Sequence, residues 1–309
     1  MNINFRVSNL KEEYIGECRE QKHLLWEITG ACNQRCKYCY SSRTKEKWLD
    51  KEDIIHIARK IAESEFEYIH ITGGEPTLCK GLREAVEILH NKKIYITTNL
   101  LMYNEKISDL FCLPNIYSVA VSLDSNEKIY NDFLRGNTEV VIANLKKLIE
   151  SKKQKNARYK VRIHCVITME NIEQIPEFLV WAKEIGVAEV SCQPVSLNES
   201  HEFAELLNLK KDELPILEKI YELESKLFGT RYSETHNEWM KLYLQNQKIS
   251  IEFMEHICIP YIDAMGKIWS CPCKKEILSD IKLVNKAEKC NISIQCMTCL
   301  KHIENIHKV

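Results

Sequence analysis

No run of about 18 uninterrupted apolar residues occurs anywhere in the chain, so no membrane-spanning helix is expected. The first 25 residues carry no apolar core of the kind a secretory signal needs, so export is not expected either. An excess of one charge is also missing: 43 Lys and Arg against 44 Asp and Glu leave a net charge of −1. Nothing in that balance favours nucleic acid or an anionic membrane as a partner. Short basic runs such as Lys146–Lys147 and Lys152–Lys155 fall in helical and loop context and read as a solvated face. Internal repeats and low-complexity tracts are absent. A hydrophobic share of 45% over 309 residues is ordinary for a soluble globular protein of one large domain or two smaller ones.

What the chain has in excess is cysteine, with 14 residues. The reading without a signal places them in the cytoplasm, a reducing compartment where disulfides are rare. They cluster, three at positions 32–39 and six at 258–299, and clustered cysteines in such a compartment point to metal. Cys18, Cys79, Cys112, Cys165 and Cys192 are scattered and read as small buried hydrophobes.

Between about residues 24 and 200, short apolar runs alternate with amphipathic stretches. The expected strands are Leu24–Ile28, Tyr68–Thr72, Ile94–Thr98, Ser118–Leu123, Val161–Ile167 and Val187–Cys192. The expected helices are Lys51–Ser64, Gly81–Leu89, Val140–Ser151 and Ile175–Ile185, the first with Ile54, Ile57, Ala58 and Ile61 at i, i+3, i+4, i+7. This is an α/β pattern, and six such repeats predict a parallel sheet with right-handed crossovers, an open, partial (β/α)6 barrel. In such folds the chemistry lies at the C-terminal ends of the strands. Four loops satisfy this: CNQRCKYC after the first strand, GGEP after the second, TTN after the third and SLDS after the fourth. Residues 206–250 read as a helical connection, with Pro215 blurring its boundaries, and 251–309 as a small cysteine-rich module of β-hairpin plus helix.

Cys32, Cys36 and Cys39 supply three thiolates where a closed zinc site wants four ligands, and no fourth Cys or His lies nearby. A cubane on three cysteines leaves one iron open to a small molecule; the alternative is a zinc site completed by a distant cysteine such as Cys258.

CNQRCKYC, with the aromatic Tyr38 before its third cysteine, and GGEP at Gly73–Pro76 resemble the signature motifs of radical S-adenosylmethionine enzymes. The resemblance covers roughly residues 22 to 200. It implies that Cys32, Cys36 and Cys39 hold a [4Fe-4S] cluster whose fourth iron is chelated by the amino and carboxylate groups of S-adenosylmethionine. It also implies that backbone groups of Gly73 and Gly74, with Glu75, orient the methionyl amino group, and that Tyr38 lies near the adenine. An electron from the cluster then cleaves the sulfonium C–S bond and gives a 5′-deoxyadenosyl radical. The protein's part is to place one substrate C–H against it and exclude quenchers.

Weaker candidates surround this core. Ser122 and Asp124 are either ribose or substrate contacts or a helix N-cap pair. Asn99 either contacts the cofactor or makes a turn. Arg135 pairs with a carboxylate in the site or forms a surface ion pair. Ser191 and Gln193 alternate on the last strand and share one face, whereas His164 reads as an ordinary strand residue.

The segment CIPYIDAMGKIWSCPC at 258–273, followed by Cys290, Cys296 and Cys299, resembles the C-terminal SPASM or twitch extension of that superfamily. Its spacer from Cys258 to Gly266 is short for the SPASM pattern, and six cysteines are too few for two fully cysteine-ligated clusters. One auxiliary [4Fe-4S] cluster on Cys258, Cys271, Cys296 and Cys299 is therefore expected, with Cys273 or Cys290 as substitutes and a four-cysteine zinc site as the alternative. Cys273 is also a candidate hydrogen-atom donor, as radical epimerases use a thiol, or else a spare thiol.

Three functions compete. The first is epimerisation or oxidation of a small molecule such as a sugar or aminocyclitol, with electrons from a donor such as flavodoxin or ferredoxin. The second is maturation of a ribosomally made peptide by epimerisation or crosslinking; only about 23 residues precede the first strand, which is little for a peptide-recognition domain. The third is a non-enzymatic zinc-binding module. Two cubanes require about eight irons and as many labile sulfides per chain after anaerobic reconstitution. About four irons would leave the C-terminal cysteines with zinc or nothing, and zinc alone would favour the binding module.

Overall fold

The computed structural model describes residues 4–5, 22–39, 48–195, 197, 200–229, 244, 250–251, 260–269 and 277–278. Six strands alternate with helices: β1 (His23–Glu27), α1 (Lys51–Glu63), β2 (Tyr68–Thr72), α2 (Leu82–Ile88), β3 (Lys93–Thr98), α3 (Glu105–Phe111), β4 (Ile116–Ser122), α4 (Lys128–Leu134), α5 (Thr138–Gln154), β5 (Lys160–Ile167), α6 (Ile175–Glu184) and β6 (Glu189–Pro194). They pair in chain order and all in parallel, as the repeats predict. A further helix, α7 (Leu214–Phe228), has Pro215 in its first turn, where a missing N–H costs nothing, so the proline starts this helix instead of breaking it.

The hairpin read around Ala264–Gly266 is present. β7 (Tyr261–Ile262) and β8 (Ile268–Trp269) pair antiparallel, and β9 (Ile277–Leu278) pairs with β8. Asp263 closes the turn, its carboxylate accepting from the Met265 and Lys267 amides and from Trp269 Nε1. The hairpin is sewn to the barrel, for β7 runs parallel to β1, with Leu25 opposite Tyr261 and the Tyr261 hydroxyl donating to Glu27.

Period-2 alternation sorts the sheet into two faces. Leu24, Trp26, Ile69, Ile71, Ile163 and Val190 share one hydrophobic core with Ile54, Ala58 and Ile61 of α1 and with Phe178 of α6. Burying each such side chain contributes about 1.5–3 kcal/mol. The opposite face carries His23, His70, Tyr95, Arg162 and His164 and lines the barrel lumen. Helices α3 and α4 come in addition to the four expected; each has seven residues, as α2 does. The last strand begins two residues later than expected. Gly186 (φ 90°) closes α6, its N–H reaching Lys183 O and the Val187 N–H reaching Ala182 O, so Val187 belongs to the helix cap. No helix among the described residues is long and apolar enough to cross a membrane.

The lumen floor is aromatic. His23 Nδ1 and His70 Nε2 share a hydrogen bond at 2.8 Å, with Tyr68 stacked on His23 and Tyr95 stacked on His70. Burial holds His70 well below the ordinary histidine range, helped by the like charges that His23, Arg162 and His164 would present. A histidine whose folded pKa is depressed contributes stability above its unfolded pKa and loses it as pH falls. Stability should therefore drop as pH falls from about 8 to 5. His70→Phe should flatten that slope and lower stability at neutral pH by about 1–3 kcal/mol, since His23 loses a buried partner. Urea unfolding of the iron-free protein across that range checks both.

Candidate radical cofactor site

The cysteine loop leaves β1 at the C-terminal rim of the barrel and lies against the loop that leaves β2. Gly74 N–H donates to Thr29 O at 2.7 Å and Glu75 N–H to Ala31 O at 2.7 Å. This approach requires glycine. A Cβ on Gly73 would sit 2.3 Å from Thr29 O, one on Gly74 would sit 2.3 Å from Ala31 O, and Gly73 holds φ 149°. The two glycines thus support the cysteine loop, and the Gly74 and Glu75 amides face that loop.

Glu75 is fully buried, and its carboxylate binds the turn after β3. Oε1 accepts from the Thr77 amide and hydroxyl and from Thr98 Oγ1 (3.0, 2.7 and 2.7 Å), and Oε2 accepts from the Asn99 amide at 2.6 Å. Burial pushes this carboxyl upward, and these donors oppose it. Asn99 makes the turn and also reaches the cysteine loop. Its Oδ1 accepts from Leu101 N in a turn, while Nδ2 reaches Asn33 Oδ1 at 2.7 Å and Cys32 Sγ at 3.9 Å.

Asp124 is not an N-cap. It is fully buried and joins three elements. Oδ1 accepts from Val166 N at 2.8 Å, while Oδ2 accepts from Arg135 Nε at 2.6 Å and from the Tyr38 hydroxyl. Arg135, 10% exposed at its side chain, therefore makes the inward pair and not a surface one. Its guanidinium carbon lies 5.2 Å from the Tyr38 ring centre and Nη1 lies 3.8 Å from Cys36 Sγ. Burial raises the Tyr38 hydroxyl well above the usual tyrosine range, so it stays a donor to Asp124.

Cys36 is buried, Cys32 and Cys39 half-buried. Burial pushes the Cys36 thiol up, with Arg135 pulling it back; burial likewise raises Cys32, opposed by the Gln34 amide 3.4 Å from its sulfur. Metal binding would release those protons. Among the described residues no three His, Cys, Asp or Glu side chains converge on one ion. Three thiols on one loop, with N–H donors aimed at two of the sulfurs, suit a cluster in which each cysteine binds its own iron.

On the lumen wall, His164 of β5 lies opposite Ser122 of β4 and Ser191 of β6, with Gln193 one step nearer the rim and the Arg162–Glu189 ion pair one step below. His164, read from sequence as an ordinary strand residue, and the Arg162–Glu189 pair share this lumen face. In KVRIHCVI, Lys160, Arg162 and His164 alternate with apolar residues in an otherwise buried strand. Cys258, Cys271, Cys273, Cys290, Cys296 and Cys299 lie outside the described residues.

The model of the radical SAM superfamily matches residues 26–182, and the chain belongs to that superfamily. Its cofactors are a [4Fe-4S] cluster and S-adenosylmethionine. The chain is 25% identical over 307 residues to a probable GTP 3′,8-cyclase of Methanocaldococcus jannaschii, covering 94% of this chain and 98% of that protein. It is 28% identical over 170 residues to mycofactocin maturase MftC of Mycolicibacterium smegmatis, covering 53% of this chain and 42% of that one. A GTP 3′,8-cyclase of Haemophilus influenzae is 30% identical over 179 residues, and the match spans 51% of its length. Against these last two relatives, the match spans about half of their length. Streptococcus suis SuiB bound to S-adenosylmethionine superposes with a TM-score of 0.61 at 19% identity, over 91% of this chain and 66% of that one, a likeness of fold.

Gly74→Ala should separate the two loops, because the new methyl meets backbone. Iron bound after reconstitution should fall well below wild type while far-UV circular dichroism is kept; full iron content would show that the loop contact is dispensable.

Proposed function

We propose that this radical SAM enzyme abstracts hydrogen from an unactivated C–H of a small polar molecule, of sugar or aminocyclitol type, leading to epimerisation or oxidation. The observation that carries the substrate class is the polar lumen wall. His164, Ser122, Ser191 and Gln193 present donors and acceptors directly under the cofactor rim, a pattern suited to hydroxyl groups. The end-to-end match to the M. jannaschii protein, whose name gives a small-molecule reaction, supports the same reading.

Cys32, Cys36 and Cys39 would hold the cluster and leave one iron open. The cofactor pair, when bound, supplies a 5′-deoxyadenosyl radical by one-electron cleavage of S-adenosylmethionine. Carbonyl oxygens of Gly73 and Gly74 would accept from the methionyl amine, and Glu75 would hold their loop through Thr98 and Asn99. Tyr38 would face the adenine with its ring, while Ser122 and Arg135 would meet the ribose or carboxylate. The lumen wall would fix which C–H points at the rim, and the aromatic floor would keep water out from below.

In this reading residues 1–205 form the radical domain, 206–250 a connection and 251–309 a twitch-like module. Its auxiliary cluster would sit on Cys258, Cys271, Cys296 and Cys299, and Cys273 would quench a substrate radical if the outcome is epimerisation. Electrons would come from a flavodoxin or ferredoxin in the cytoplasm. A second reading, peptide maturation, is favoured by the similarity to MftC.

One experiment separates them. The holoenzyme is given S-adenosylmethionine and either the small-molecule filtrate or the peptide fraction of cells grown in deuterated medium. Deuterium in 5′-deoxyadenosine or S-adenosylmethionine from the filtrate supports the small-molecule reading; deuterium from the peptide fraction alone transfers the proposal to maturation. His164→Ala should reduce the transfer about tenfold, the worth of one substrate hydrogen bond, with basal 5′-deoxyadenosine formation unchanged.

A further inference from the structure

Arg135 touches three things at once. Its Nε donates to Asp124 Oδ2 at 2.6 Å, its guanidinium carbon lies 5.2 Å from the Tyr38 ring centre, and its Nη1 stands 3.8 Å from Cys36 Sγ. The side chain is 10% exposed and that of Asp124 is 0% exposed, so water screens neither charge well. The pair is also pinned from outside: Asp124 accepts from Val166 N and from the Tyr38 hydroxyl, and Arg135 N–H donates to Asn131 O at 2.7 Å at the end of α4. A guanidinium held this firmly beside one sulfur cannot turn away when charge there changes.

Reducing an iron–sulfur cluster adds one negative charge, shared with its thiolates, and hydrogen bonds and charges at the sulfurs set the reduction potential. We infer that Arg135, positioned by Asp124 and Tyr38, sets the reduction potential of the cluster through Cys36. The cation beside the sulfur favours the reduced state and raises the midpoint. Asp124 tempers it from the other side of the guanidinium, and Tyr38 tempers Asp124 by donating to it. The inference rests on Cys36 holding the cluster, and it makes opposite predictions for the two halves of one ion pair.

The test is an EPR-monitored redox titration of the reconstituted holoenzyme without S-adenosylmethionine, with iron and sulfide measured on each sample. Arg135→Gln should move the midpoint to more negative potential and Asp124→Asn to more positive. Arg135→Lys should lie between Arg135→Gln and wild type, since the charge stays but the planar fork is lost. Tyr38→Phe, which leaves the ion pair whole and uncovers Asp124, should move it slightly negative. A purely structural role would lower cluster content or shift every variant the same way. Shifts all in one direction among variants that keep wild-type iron, or no shift at all, overturn the inference. Breaking a buried pair is strongly destabilising. Should Arg135→Gln fail to hold a cluster, Asp124→Asn and Tyr38→Phe decide by the sign of their shifts. Wild-type protein that takes up no iron would instead refute the cluster assignment itself.

Discussion

Two backbones pressed together at the rim of the barrel support everything that happens above it. The segment 73–75, leaving β2, donates two hydrogen bonds of 2.7 Å to the segment 29–31, entering the cysteine loop, with no room for a side chain between them. The contact extends the pairing of β1 with β2 one step past the strands, so the cysteine loop starts from a fixed direction. Glu75 carries that fixity sideways. Its four acceptor contacts tie the same loop to Thr77, Thr98 and Asn99, and Asn99 reaches back to Asn33 and Cys32. Three consecutive strand ends are thereby linked around one set of thiols.

The other side of the loop is held by charge. A fully buried carboxylate is costly unless its oxygens are satisfied, and Asp124 has an amide, a hydroxyl and a guanidinium on its two oxygens. Each donor comes from a different part of the chain: Val166 at the end of β5, Tyr38 from the cysteine loop, Arg135 after α4. Removing any one leaves the others with an imperfectly paired charge in a dry setting. The backbone contact therefore fixes where the loop begins, and this buried network fixes where Cys36 and Tyr38 finish.

Much of the fold was legible because period and loop chemistry agreed. The six strands, the parallel order and the convergence of motif loops all follow from alternating apolar runs and from chemistry placed at strand C-termini. The failures have local causes. Val187 reads as strand by its branched side chain but is taken by the cap of α6. Asn104 caps α3, its side chain accepting from Ile107 N at 3.1 Å, and Ile107, Leu110 and Phe111 follow at i, i+3, i+4, so this helix has the signals of one. At the site, sequence could name Glu75, Asp124, Arg135 and Asn99 but not pair them, because separations such as the 24 residues from Glu75 to Asn99 are set by the fold alone.

The two faces of one sheet explain why a protein with so ordinary a composition can hold so polar an interior. Among the described residues the main hydrophobic core lies outside the lumen, where strand residues meet the helices, and a smaller cluster of Tyr38, Leu134, Val195 and Leu207 packs beside the cysteine loop. The lumen face is left free to carry His70, Arg162, His164 and Glu189, each admitted only with partners: His70 with His23, and Arg162 with Glu189. These polar pairs stabilise the face they occupy, so its polarity is built into the fold. Under the proposed function that polarity suits a hydroxyl-bearing substrate, and His164, Ser191 and Gln193 on adjoining strands are where that reading is tested.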